Sequence, residues 1–143
     1  MRKSELMTLW NVESWAVEPY GVYFVSRRLK TKSLNNIEQA FQKLNVTCTN
    51  HTEAEVLSLP MWEQLYTQLD KLDQLAQELI QKEIPQEESV VLILTDIMLD
   101  KLGCYDEFAL GYDIGESSAG HLYVLVSFDE NFTAQQDVIY ETL

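Results

Sequence analysis

Phe108-Ala-Leu-Gly-Tyr-Asp-Ile-Gly-Glu-Ser-Ser-Ala-Gly-His-Leu-Tyr-Val-Leu-Val-Ser-Phe128 is the stretch on which the reading of the fold turns. Phe108, Leu110 and Tyr112 alternate with Ala109, Gly111 and Asp113. Leu122, Val124, Val126 and Phe128 alternate with Tyr123, Leu125 and Ser127. Successive side chains of a strand point to opposite faces, so each arm offers one face to a core. Gly115 and Gly120 lie between the arms, and the pair reads as an antiparallel hairpin closed by a loop over 114–120.

Working outward, Tyr20–Ser26 is β-branched and aromatic and reads as a strand, as does the apolar run Ser89–Leu94. A last strand or short helix is expected near Gln136–Glu141. The clearest helix lies between Pro60 and Pro85. Trp62, Leu65, Leu69, Leu72, Ala76 and Leu79 recur at helical spacing there, an apolar stripe on a helix of about 22 residues. Pro85 disfavours helix at the residue before it and so ends it. A shorter helix is expected over Asn36–Asn45, where Ile37, Ala40, Phe41 and Leu44 fall on one face and Asn35 can cap. Thr95 or Asp96 could cap another, running through Leu102 and stopped by Gly103. With helices early, strands late and no regular βαβ alternation, the expectation is α+β. It takes the form of an antiparallel sheet of about four or five strands with one face covered by one long and one or two shorter helices.

The chain has 143 residues, 46% of them apolar, and is expected to form one domain over 1–143 without staples. Cys48 and Cys104 have neither the density of a disulfide scaffold nor the spacing of a zinc site and read as free thiols. The N-terminal residues lack the apolar run of a signal peptide, and Val90–Leu94 is too short to span a bilayer. A cytoplasmic protein with no membrane association is therefore expected.

Motifs for chemistry are weak. Gly115-Glu-Ser-Ser-Ala-Gly120 differs from the nucleophile elbow G-x-S-x-G by Ala119, and a strand pattern follows where a helix is needed. No Lys or Arg occurs after Lys101 to hold a phosphate. His51 and His121 lie far apart, and neither has a second ligand at metal spacing. No catalytic residue, metal or cofactor is expected.

Charge carries more. The net charge is -13, and it is unevenly spread. Residues 1–50 hold seven Lys/Arg and four Asp/Glu; residues 51–143 hold three Lys/Arg and nineteen Asp/Glu. Such a field attracts cationic partners and repels phosphate backbones. Direct nucleic-acid binding is not expected, despite the basic cluster Arg27-Arg28-Leu-Lys30-Thr-Lys32. The expected contact surface is the set of acids around the hairpin, Asp106, Glu107, Asp113, Glu116, Asp129 and Glu130, with Tyr105, Tyr112 and Tyr123 as aromatic anchors. Asp96 and Asp100 would share one face of the helix expected there, and Glu63, Asp70, Asp73 and Glu78 would form an acidic outer face on the long helix.

In length, acidity, one α+β domain and the lack of an active-site motif, the chain resembles small bacterial immunity proteins, which protect cells against their own polymorphic or contact-dependent growth-inhibition toxins. The resemblance implies a cytoplasmic protein that neutralises one cationic toxin domain, for example a nuclease, by tight stoichiometric binding without chemistry of its own. Two other readings stay open: a DNA mimic blocking a DNA-binding protein, and a carboxylate- or divalent-metal-dependent hydrolase.

Overall fold

One parallel strand pair sets the architecture. The computed structural model describes residues 1–30, 40–83, 92–117 and 120–142. Its elements in chain order are α1 (Lys3–Leu9), β1 (Val12–Glu18), β2 (Gly21–Lys30), β3 (Ala40–Thr49), α2 (Glu53–Ser58), α3 (Trp62–Glu83), β4 (Leu94–Asp100), β5 (Phe108–Ser117), β6 (Gly120–Phe128) and β7 (Ile139–Thr142). The strands form one seven-stranded sheet in sequence order. Every neighbouring pair is antiparallel except β3 and β4, which run parallel with Asn45 opposite Asp96 and Thr49 opposite Asp100. A parallel pair cannot be joined by a tight turn, so the chain crosses over the sheet between them. That crossing carries α2 and α3.

The long helix lies where its apolar stripe predicts. Trp62, Leu65, Leu69, Leu72 and Ala76 are all buried, with Ile80 in place of the expected Leu79, which is only half-buried, against Phe108, Leu110 and Tyr112 of β5 and Val124, Val126 and Phe128 of β6. The N-terminal helix packs on the same side. Its Leu6 is buried, and Trp10, just past its end, lies edge-on to Trp62 with ring centres 5.7 Å apart and to Phe24 of β2 at 6.3 Å.

Several expectations are corrected. The sheet has seven strands rather than four or five. Residues 40–45 are not helical but open β3, in which Leu44, Val46 and Cys48 alternate as buried with Lys43, Asn45 and Thr47. The β-branched run Val46-Thr-Cys-Thr49 and ten paired positions along β2 outweigh one turn of helical spacing. The rest of that expected helix, 36–39, lies outside the described residues. Thr95–Asp100 is likewise strand and not helix, with Ile97 and Leu99 buried. The apolar run over 89–94 contributes only Leu94 to a described strand; 89–91 lie outside the described residues. The hairpin arms extend to Ser117 and Gly120, which pair, so the expected loop over 114–120 is largely strand. The C-terminal segment forms strand β7. α1, β1 and α2 carry no signal picked out from the sequence.

Two acids expected on the outer face of α3 are turned to structural use. Asp73 is buried and accepts hydrogen bonds from the Tyr112 hydroxyl at 2.5 Å and from Gln77 Nε2 at 3.0 Å. Asp70 pairs at 2.7 Å with the buried Arg28, which also donates to Gln42 Oε1 at 3.0 Å. Tyr112 and Arg28 thereby fasten the helix to β5 and β2.

Removing a buried donor leaves its partner desolvated and unmatched. Tyr112→Phe is expected to lower stability by about 1–3 kcal/mol in urea unfolding. Leu69→Ala, which empties the centre of the stripe, is expected to cost about 2–5 kcal/mol. A loss near zero for both would contradict this assignment of the core.

Candidate functional site

Because the described helices lie on one side, strand alternation sends a second set of side chains to a face that none of them covers. On β4 this set is Asp96, Met98 and Asp100; on β5 it is Ala109, Gly111 and Asp113; on β6 it is His121, Tyr123, Leu125 and Ser127; on β7 it is Ile139 and Glu141. Two irregularities adjust it. A β-bulge at Thr95 lets Leu94 face the core beside Tyr112 while Asp96 faces out beside Gly111. A second register shift falls between Asp113 and Gly115, where Gly115 has φ of 97°, a conformation suited to glycine.

The face is polarised. Its β2–β3 portion carries Arg27, stacked over the Phe41 ring at 4.4 Å, and Lys43. Strands β4 to β7 contain no Lys or Arg at all. Their outward carboxylates are held by neutral or histidine partners. Asp96 accepts from Thr95 Oγ1 at 2.6 Å. Asp113 Oδ1 and His121 Nε2 lie 2.5 Å apart. Asp100 accepts from the Leu102 backbone N–H at 2.9 Å and Asn50 Nδ2 at 3.2 Å, and its carboxyl is held below the ordinary carboxylate range mainly by the former. Glu141 accepts from the Tyr105 hydroxyl at 3.1 Å.

Between these groups lies a recess of about 120 Å³ lined by Asp96, Met98, Gly111, Tyr123, Leu125 and Glu141. Tyr105 closes one side, its hydroxyl also lying 3.8 Å from Met98 Sδ. Gly111 forms the floor. A methyl group there would meet Asp96 Cβ and Leu125 Cδ2 at 3.0 Å. Burial pushes the Asp96 carboxyl above the ordinary carboxylate range, and the Asp113 charge adds to this while the Thr95 hydroxyl opposes it. Burial and the Glu141 charge raise the Tyr105 phenol, which stays protonated as a donor.

The residues singled out from the sequence are divided by this geometry. Asp113 and Tyr123 sit opposite one another on the helix-free face, and Tyr105 borders it. The backbone of Glu116 pairs with that of His121 at the far end of the hairpin. Asp106, Glu107, Asp129 and Glu130 gather at its other end, five residues along β5 from Asp113, or about 17 Å at ~3.4 Å per residue. There Asp129 caps its own turn by accepting from the Asn131 and Thr133 amides, and Asp106 accepts from Gln135 Nε2. Tyr112 is corrected outright: it is fully buried and cannot serve as a surface anchor. Asp73, buried beneath it, interrupts the acidic row expected on the long helix.

Asp96, Met98, Gly111 and Glu141 were missed as a group. Asp96 and Asp100 do share a face, as expected, but on a strand. Among the described residues no three His, Cys, Asp or Glu side chains are placed to hold a metal ion. Cys48 is buried, its thiol pushed up to about 12 by burial, and Cys104 is exposed. No described helix is long and apolar enough to cross a membrane. Comparison with protein-family models, with curated proteins and with solved structures gives no match to this chain.

A carboxyl raised by burial disfavours folding once it ionises, since its folded-state value exceeds the unfolded one near 3.9. Asp96→Asn is therefore expected to raise the thermal midpoint at pH 7. The gain should shrink as pH falls through the raised folded-state value toward the unfolded one and vanish below it, where Asp96 itself is neutral in both states. A loss of stability at pH 7 would show that the ionised carboxylate is structurally required.

Proposed function

We infer that this chain is an acidic binding module that docks a cationic protein on the helix-free face of its sheet, and that it acts by occupancy. The observation that carries this reading is the outward set Asp96, Asp100, Asp113 and Glu141 on β4, β5 and β7, within a run of strands, β4 to β7, that contains no Lys or Arg. Opposed fields of this kind raise association rates toward roughly 10⁸–10⁹ M⁻¹s⁻¹ at low salt and decay over a Debye length of about 8 Å at physiological ionic strength. Tyr105, Tyr123 and Met98 supply the aromatic and apolar contacts that convert encounter into affinity.

The partner best matched by resemblance is a bacterial toxin domain with a basic substrate cleft, such as a nuclease. An immunity protein for it needs surface complementarity and no reactive group. The DNA-mimic reading has less support, because Asp73 is buried and Asp70 is committed to Arg28, which leaves no regular row of carboxylates along α3.

The test is co-expression with the product of the adjacent gene, followed by stopped-flow association at two salt concentrations. A stoichiometric complex with a basic protein is expected. Neutralising Asp96, Asp113 and Glu141 together as Asn, Asn and Gln should slow association about tenfold at low salt. Neutralising Asp106, Glu107 and Glu130 should change it less than twofold. The reverse ranking would move the interface to the far end of the hairpin, and an acidic or non-binding product would overturn the reading.

A further inference from the structure

We propose that the recess over Gly111 seats the end of one arginine side chain from the partner, between the Asp96 and Glu141 carboxylates. This rests on the binding-module reading and gives that face its specificity element.

Size is the first argument. At about 120 Å³ the recess falls well below the roughly 300–1,000 Å³ of sites for metabolites and drug-sized ligands. It suits a side-chain end.

The second argument is how the recess is made. Gly111 lies inside a central strand, where glycine weakens a sheet, and no positive φ requires it there. Its strand neighbours across the face are Asp96 on one side and Leu125 on the other. At about 4.8 Å between strands, these two backbones stand about 10 Å apart with only a glycine between them. Any larger residue would fill the floor or displace the Asp96 side chain.

The lining chemistry supplies the third. Carboxylates approach from β4 and β7, an aromatic ring and a thioether complete the wall, and no cation pairs with either acid among the described residues. Asp96 and Glu141 each accept one hydroxyl hydrogen bond, from Thr95 and Tyr105, which fixes their orientation and leaves further acceptor capacity. A guanidinium is planar, carries five N–H donors, is more weakly hydrated than an ammonium and stacks on aromatic faces. It can therefore satisfy two separated carboxylates from a partly desolvated position, whereas a lysine ammonium is a compact, strongly hydrated point charge.

The test uses N-acetyl-arginine methylamide as the probe, titrated into the full chain at low salt. It is followed by the Met98 methyl signal and the Gly111 and Leu125 amides in NMR. Saturable shifts confined to these residues and to Tyr123 are expected, with N-acetyl-lysine methylamide binding at least fivefold more weakly. Glu141→Gln, on edge strand β7, should weaken the arginine probe at least threefold while leaving the amide spectrum otherwise in place. Gly111→Ala should abolish the shifts while leaving the remaining amide spectrum in place. Shifts spread equally over Asp106, Asp129 and Glu130, or equal binding of the two probes, would overturn the proposal. If the chain forms its charge-dependent complex but the probe ignores the recess, this inference fails alone. If neither occurs, the binding-module reading fails with it.

Discussion

The parallel pairing of β3 with β4 is the constraint on which the rest of the molecule depends. All other neighbouring strands are joined through antiparallel pairings that leave both faces of the sheet equally free. The single parallel pair forces the chain to return across one face, and the 22 residues of α3 make that return. Once the Trp62-to-Ile80 stripe is buried there, α1 finds its apolar partners on the same side, in Trp62 and Phe24. Among the described residues the helices cover one side. The alternation of every strand then delivers a helix-covered face and a second face whose content is set independently.

Polar burial reinforces the division. Asp73 and Asp70 are spent on Tyr112 and Arg28, so two of the long helix's acids hold the helix down rather than charge the exterior. On the other face Asp96 is desolvated and accepts from the Thr95 hydroxyl, and Glu141 accepts from the Tyr105 phenol. A carboxylate that would fold more favourably uncharged, beside a glycine that weakens its strand, departs from what stability alone would select. Departures of this kind concentrate at binding sites.

The parts of the fold legible in the sequence were those with a sustained period. The six-residue stripe from Trp62 to Leu79 specified α3, and the alternation over 108–128 specified the β5–β6 pair. Failures came where two periods competed over a short window. Phe41 and Leu44 satisfy a helix through one turn, while Leu44, Val46 and Cys48 satisfy a strand, and long-range pairing with β2 decided between them. Thr95 to Leu102 was misread because Gly103 looks like a helix stop; in the structure it closes the turn that follows β4, its N–H donating to the Asp100 carbonyl at 3.1 Å, with φ of 85°. That error hid the candidate site, since Asp96, Met98 and Asp100 line up on one face only in a strand. Glu141 could not be joined to them from sequence, because its closeness depends on β7 lying two strands from β5 and on Tyr105 reaching over. Tyr112 was misplaced for a related reason: the hairpin's alternation marked it as core-facing, yet its hydroxyl and acidic neighbours suggested a surface role.

The central claim is that the negative potential of this protein is concentrated on the helix-free face. It is tested most directly by comparing paramagnetic relaxation from cationic and anionic nitroxide cosolutes, residue by residue, on the protein alone. The account predicts the largest excess of the cationic probe at Met98, Gly111, Tyr123 and Leu125, and a smaller excess along the exposed side of α3. A uniform ratio over the surface, or a maximum at the Asp129–Glu130 turn, would contradict it.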